Sequence, residues 1–333
     1  MYKKVVSVVF WMLFIQSICL SMGQNQMSLP SKSVRCKTGI YIKNLRIDQA
    51  NEEFTVLFYW WIRVDSIGKD FNAQKVKQIE FINSSNEVEI TQEIIDTMKG
   101  YYYLTGVCQS TTPFKADYHR FPYDKQNLYI SLENKNHNIN EIVFMSDTRF
   151  QNFNRLSDDN IEILNGDQYS VSNLSSFNSK YIYNTNFGDP LVTGNDVYSR
   201  INFKIEISRN PTGIMLKLGL PLFLVLFLSY LVFFIPDHEI STASALTVTS
   251  LLAAIAFQWT INDSLPKVSY YTTVDRVFYL VYSFIFYAMA QTVFTYNLSN
   301  GNPRAKKISQ TIELHSRWIF PVSFILILLQ ILS

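Results

Sequence analysis

The chain has 333 residues and a formal net charge of +2, so its charge balance excludes a strongly basic nucleic-acid binder and no nucleic-acid partner is expected. Aromatic residues are numerous (25 Phe, 20 Tyr), but the average hides a division. Residues 24–209 are polar and broken by turn residues, whereas long apolar runs dominate from residue 214 onward. At roughly 100–200 residues per domain, this length predicts two domains.

At the N-terminus, Lys3 and Lys4 precede an apolar run over residues 5–20, followed by the small residues Ser21 and Gly23. A basic start, a short apolar stretch and a small-residue site predict a cleavable secretory signal over residues 1–23. An uncleaved anchor is the competing reading, although the run is short for a span. Cys19 falls inside this segment, which leaves Cys36 and Cys108. They can pair in an oxidising compartment or stand as two buried thiols.

Strand-like runs then recur at 54–64, 76–82, 101–107, 126–132, 161–164, 180–183 and 197–207, separated by turn clusters such as 83–86 and 134–140. In the first of these, Trp61 and Arg63 share a face by the period of two. Short strands at this spacing predict an antiparallel β-sandwich over residues 24–211. The four histidines (His119, His137, His238, His315) are not paired at metal-ligand spacing, and no Gly-rich phosphate loop, nucleophile elbow or CxxC pair occurs. No catalytic residue, metal or cofactor is expected. The chain does not read as an enzyme, and its β domain reads as a binding module.

Residues 212–333 predict a four-helix transmembrane domain with spans near 214–235, 240–262, 274–298 and 312–332, each close to the roughly 20 residues that cross a bilayer. The last span carries His315 and Arg317 near its start, so Arg317 is expected to snorkel to the headgroups. Arg304, Lys306 and Lys307 lie in the third-to-fourth connection, which the positive-inside rule places in the cytoplasm. The expectation is a multi-pass protein of the cell membrane with an extracytoplasmic N-terminal domain, periplasmic if the source is bacterial.

The second span has a composition of its own. At 100° per residue, Ala245, Thr249, Leu252, Ala256, Trp259 and Asp263 fall on one narrow stripe, from small to hydroxyl to bulky apolar to acidic, and Ser241, in the hydroxyl-rich first half of the span, is expected to line a pore with them. A water-filled pore uses such a stripe, and a leucine ring can close it by dewetting. Hydroxyls that bond preceding carbonyls or join helices explain the pattern equally well on periodicity alone, and Thr247 and Ser250 lie off the stripe.

Three separated motifs then coincide: Phe121-Pro122-Tyr123-Asp124-Lys125-Gln126; Arg209 before the first span with Pro221 inside it; and Leu265-Pro266-Lys267-Val268-Ser269-Tyr270 between the second and third spans. Together with Thr38-Gly39-Ile40-Tyr41 and Ser316-Arg317-Trp318-Ile319-Phe320-Pro321, they resemble the pentameric ligand-gated ion channels, the Cys-loop receptor superfamily. Phe114 and Leu128 stand where animal members carry the loop cysteines, and the third-to-fourth connection is only about a dozen residues; both features resemble the prokaryotic branch, which lacks that disulfide.

The resemblance implies a homopentamer, with itself, a small-molecule agonist or protons, permeant cations and membrane lipid as partners. It implies an agonist site between subunits. One side would hold Phe81, the loop with Asp147, Arg149 and Phe150, and the hairpin with Tyr181, Tyr183, Phe187 and Tyr198; the neighbouring subunit would add Trp61, Arg63, Tyr101 and Tyr103. Aromatic rings suit a cation, whereas arginines suit a carboxylate, and an amine, a small acid and protons all stay open. Asp48, Asp124 and Arg209, with Pro122, Pro266 and Lys267, are implied to couple the sandwich to the helices.

Between Lys217 and Lys267 there is no Lys or Arg, while Asp237 and Glu239 stand before the second span and Asp263 after it, which predicts cation selectivity. Counting from either flank puts the inner acidic ring at Glu239 or at Ser241. A non-conducting, membrane-anchored β-sandwich receptor is the alternative function.

Overall fold

The computed structural model describes residues 33–332 apart from stretches 69–70, 85–88, 97–98, 148–161, 164–167, 186–187, 189–195 and 263–267. The expected signal segment lies outside the described residues, as do Arg149, Phe150, Phe187, Asp263, Pro266 and Lys267.

Strands β1 (Val34–Asp48), β2 (Glu53–Val64), β4 (Glu89–Asp96), β5 (Tyr101–Pro113) and β7 (Ile142–Ser146) form one sheet in the order β4-β5-β2-β1-β7, with β8 (Glu162–Ile163) also paired to β1. Strands β3 (Ile79–Phe81), β6 (Lys125–Asn134), β9 (Tyr169–Tyr183) and β10 (Asp196–Arg209) form the second, in the order β3-β6-β10-β9. Most pairs are antiparallel, but β1 runs parallel to β7 and β8. The period of two is legible in the burial: Phe54, Val56, Phe58, Trp60, Ile62 and Val64 all face inward at no more than 3% exposure. Ile201, Phe203, Ile205 and Ile207 meet them from the opposing sheet.

The predicted strand over 76–82 is mostly something else. Asn72 accepts a bond from the Gln74 backbone N–H at 3.0 Å and caps a one-turn helix, α1 (Ala73–Lys77), so only Ile79–Phe81 remains extended. Cys36 and Cys108 are two buried free thiols; burial pushes them up to about 12 and about 11.

Four long helices follow: α2 (Thr212–Leu231), α3 (Ile240–Asn262), α4 (Thr273–Ser299) and α5 (Pro303–Leu332). All four are long and apolar enough to cross a membrane. Helix α3 packs against α2 and α4, and α5 packs against α4. Helix α5 starts nine residues before the predicted fourth span, so the connection expected to run about a dozen residues shrinks to residues 300–302. Pro303 opens the helix where its missing N–H costs nothing, and no helix breaker follows until Pro321. Arg304, Lys306 and Lys307 therefore sit on the first turns of α5.

Arg317 does not need the headgroups. Its Nε donates to the Phe233 carbonyl at 3.0 Å, its guanidinium lies 4.6 Å over the Phe234 ring, and Tyr230 Oη donates to the Arg317 carbonyl at 3.1 Å. The 3-10 turn Val232–Phe234 after α2 leaves that carbonyl without a helical partner, and Arg317 supplies one. Pro221 and Pro321 lie within α2 and α5.

Gly106 faces Trp60 across the β2–β5 ladder. A Cβ there would lie 1.8 Å from the Glu89 carbonyl oxygen and 2.6 Å from the Trp60 ring, so the glycine lets strand β4 and the indole close over the same backbone. Gly106→Ala should destabilise the sandwich by about 2 kcal/mol or more, since backbone must move. A fall in the apparent melting temperature of detergent-solubilised protein checks this.

Candidate functional site

The helix-facing end of the sandwich is tied together by one buried guanidinium. Arg209, the last residue of β10, donates from Nε to Asp124 Oδ1 at 2.6 Å and from Nη2 to Asp124 Oδ2 at 3.1 Å. Arg209 is 6% and Asp124 2% exposed. Nη2 also reaches Gln49 Oε1 at 3.3 Å and Tyr169 Oη, and the guanidinium lies 4.5 Å from the Tyr169 ring and 4.9 Å from Phe121. Burial pushes the Tyr169 phenol above its ordinary value although Arg209 pulls it down. Gln126, 2% exposed, donates to Asp124 Oδ2 and to the Asp117 carbonyl, both at 2.8 Å. A buried pair with this many partners has its lone pairs and protons satisfied, the condition under which such a charge is tolerable.

Asp48 does not join this cluster. Its carboxylate accepts from the Ala50 and Asn51 backbone N–H groups and from Asn51 Nδ2, and the Asn51 side-chain bond holds it below the usual carboxylate range. It closes its own turn instead, an Asx arrangement that competes for a short acid at a strand end. Its neighbour Gln49 reaches Arg209. Tyr169 and Gln49 were missed from the sequence, because nothing local marks a tyrosine or glutamine as a ligand of a distant arginine; Gln126 stood in the motif, but its bond to Asp124 was not foreseen.

The loop between β5 and β6 also grips the helices. Tyr270 Oη accepts from the Tyr118 backbone N–H at 2.9 Å, and the Tyr270 ring stacks on His119 at 3.9 Å with 4° between planes. The His119 carbonyl accepts from Thr273 N at 3.0 Å and Thr273 Oγ1 at 3.1 Å. His119 Nδ1 lies 2.6 Å from Asp117 Oδ1. Pro122, after a cis Phe121–Pro122 bond, borders an apolar cavity of about 200 Å³ between α2, α4 and α5. Thr272 and Asp275 cap α4 reciprocally where the chain leaves this junction. Phe114 and Leu128, 9% and 0% exposed, close the loop as core side chains.

Higher on the sandwich, Tyr181, Tyr183 and Tyr198 meet on the outward face of the four-stranded sheet, with ring centroids 4.7 Å (Tyr181–Tyr183) and 5.4 Å (Tyr183–Tyr198) apart. Phe81 does not share that face: it is 5% exposed and packs edge-on against Phe58 at 4.9 Å in the core. Its period-two neighbour Glu80 stands opposite Glu133 on the outward side. Trp61 Nε1 donates to Asp147 Oδ2 at 3.3 Å and Arg63 Nη2 to Oδ1 at 3.4 Å, so these three, assigned to opposite sides of a subunit boundary, meet within one chain. Tyr101 and Tyr103 are half-buried on β5, paired to Asp96 and Ile94 of β4.

In α3, Ser241, Ala245, Thr249, Leu252, Ala256 and Trp259 are all exposed, Leu252 at 61% and Trp259 at 71%. Ala243, Thr247, Ser250, Ala254 and Ile261 are buried on the other side. Thr247 Oγ1 donates to the Ser244 carbonyl at 2.9 Å and Ser250 Oγ to Leu246 at 2.8 Å, so the off-stripe hydroxyls are spent inside the helix. Glu239 is exposed at the end of the turn Asp237–Glu239 that leads into α3.

Residues 218–317 match the family model of the neurotransmitter-gated ion-channel transmembrane region. The chain is 27% identical over 329 residues to a proton-gated ion channel of Gloeobacter violaceus, covering 91% of this chain and 85% of that protein. It is 24% identical over 206 residues to a gamma-aminobutyric acid receptor subunit beta of Lymnaea stagnalis and 24% over 199 residues to a beta-4 subunit of Gallus gallus. Those two alignments cover 60% of this chain and 38% of each receptor subunit. The chain is thus similar to the pentameric ligand-gated ion channels, most specifically in its transmembrane region. It is a multi-pass membrane protein of a family of channels, not enzymes.

Arg209→Ala leaves Asp124 buried and unpaired and should cost about 3–5 kcal/mol, with the Arg209→Ala/Asp124→Ala double variant losing less than the sum, read by a double-mutant cycle on thermal unfolding. Asp117 gives a pH limb. The His119 backbone N–H, then its side chain, hold the Asp117 carboxyl below its ordinary 3.8. A depressed carboxyl stabilises the fold above its unfolded value and stops doing so as pH falls through the folded one. The contribution is thus complete at neutral pH and lost below about 3.8, and Asp117→Asn should flatten melting temperature against pH in that window.

Proposed function

We propose that five copies of this chain surround a cation-selective pore lined by α3, opened when a small-molecule agonist or protons act on the β-sandwich. The uncovered stripe of α3 carries this reading. One side of the helix is buried against α2 and α4, and the side bearing Ser241, Ala245, Thr249, Leu252, Ala256 and Trp259 is left open. Lipid has no use for the Thr249 hydroxyl, whereas a water-filled lumen hydrates it. Helix α5 is the most exposed of the four, with 11% of its apolar window buried, which suits the lipid side of a ring. Rings of Leu252, Ala256 and Trp259 would form the constriction.

Selectivity follows from charge. Glu239 and Asp237 precede α3 in the sequence and Asp263 follows it, with no Lys or Arg between Lys217 and Lys267. Glu239 or Ser241 forms the inner ring; Glu239 supplies a charge. Arg304, Lys306 and Lys307 orient that end toward the cytoplasm, which puts the sandwich outside the cell membrane. Coupling runs through Arg209, Asp124 and Gln49 to the Pro122 loop, and from His119 onto Tyr270, which follows Pro266 and Lys267 in the sequence.

Oocyte recordings across pH and a panel of small amines and carboxylates test the proposal. Evoked currents should reverse with the sodium gradient in asymmetric NaCl; reversal that tracks chloride overturns cation selectivity. Arg209→Ala should abolish evoked current while protein persists at the surface. Surface protein that never conducts under any condition points to a non-conducting anchored receptor.

A further inference from the structure

The tyrosine cluster on the outward sheet face already contains a cation. The Arg200 guanidinium carbon lies 4.0 Å over the Tyr181 ring centroid. Arg200 Nε donates to Glu133 Oε2 at 2.9 Å, and Nη2 reaches Tyr183 Oη at 3.3 Å. Tyr183 Oη donates to the other oxygen, Glu133 Oε1, at 2.9 Å. Sheet register builds this arrangement: Arg200 on β10 stands directly opposite Glu133 on β6, and Tyr181 on β9 opposite Tyr198. Glu133 is only 1% exposed although it points away from the core, because Tyr183 and Arg200 cover it. Burial, then the Glu133 bond, pushes the Tyr183 phenol up to about 12, so it remains a donor.

We propose that Arg200 is a built-in ligand of this cluster: it takes the seat over Tyr181 that an ammonium group would need, and so excludes cationic agonists from the site. The proposal rests on the reading of this hairpin face as the agonist site. An aromatic face attracts a cation through its ring quadrupole, and the guanidinium spends that attraction internally. Both oxygens of the buried Glu133 carboxylate are engaged by Arg200 and Tyr183, so an arriving amine over Tyr181 meets repulsion from Arg200 and must compete with it for that carboxylate. Excluding a ligand by an internal like charge is specificity by repulsion. Arg200 thereby separates this pocket from one that reads amines, even though its rings alone suggest an amine box.

Binding of tetramethylammonium to the purified full-length protein, read by calorimetry and thermal shift, tests this. The wild type and Arg200→Lys, which keeps the charge, should show no binding at the cluster. Arg200→Gln keeps a donor for Glu133 but vacates the seat, and should bind about tenfold or more tightly than the wild type. Adding Tyr181→Leu to Arg200→Gln should remove the gain. Equal binding by wild type and Arg200→Gln, or a folded Arg200→Gln protein with no gain, overturns the proposal. If Arg200→Gln does not fold, a wild-type structure determined in tetramethylammonium decides. Arg200 unmoved with no ligand over Tyr181 supports the proposal, and a cation seated on that ring overturns it. The binding readout does not depend on current, so it stands or falls separately from the channel assignment.

Discussion

The bidentate pair between Arg209 and Asp124 is the constraint on which the rest of the architecture depends. Arg209 ends the last strand and lies three residues before the first helix, so whatever fixes its side chain fixes where the bundle begins. Asp124 opens β6 from the loop whose other residues touch the helices. One buried ion pair therefore links the strand that enters the bundle to the loop that rests on it. Gln126 and Tyr169 complete the coordination, and in a buried setting such completeness decides whether charges hold a fold together or loosen it.

Much of this was legible in the sequence, and the legible parts share a cause. Period-two burial in β2 and uninterrupted apolar stretches in α2 to α4 are dictated by the local chain, and local patterns can be read directly. Arg209 and Asp124 could be singled out because they belong to motifs of a recognisable superfamily. Tyr169 and Gln49 could not. They reach the same guanidinium from positions set by sheet register and turn geometry, which no window of residues records. The same blindness placed Asp48 on the wrong partner, since a free-looking acid beside Asn51 prefers to close its own turn. Phe81 was assigned to the ligand face by type, whereas period two sends it to the core and turns Glu80 outward. The extra turns of α5 were hidden because lysines and arginines read as loop when hydropathy alone is followed.

The helix bundle shows how polar groups can be put to work in an apolar setting. Thr247 and Ser250 return their hydroxyls to the helix, and Tyr282 Oη donates to Gln258 Oε1 at 2.6 Å to fasten α3 to α4. Arg317 repairs an orphan carbonyl where α2 tightens into a 3-10 turn. These internal uses leave Thr249 on the open stripe as a hydroxyl with no such role among the described contacts, unlike Thr247, Ser250 and Thr260.

The buried side chains of the sandwich and of the upper bundle form one unbroken cluster, running from Trp60 and Phe203 through Tyr118 and Phe121 to Leu218, Val274 and Phe278. The sandwich is therefore not a detachable module. Severed after Arg209, it would lose the Tyr270 and Thr273 partners of its junction loop at Tyr118 and His119. A soluble fragment made for ligand screening needs that underside rebuilt with polar residues, whereas the Tyr181 cluster, far from the cut, would survive the operation unchanged.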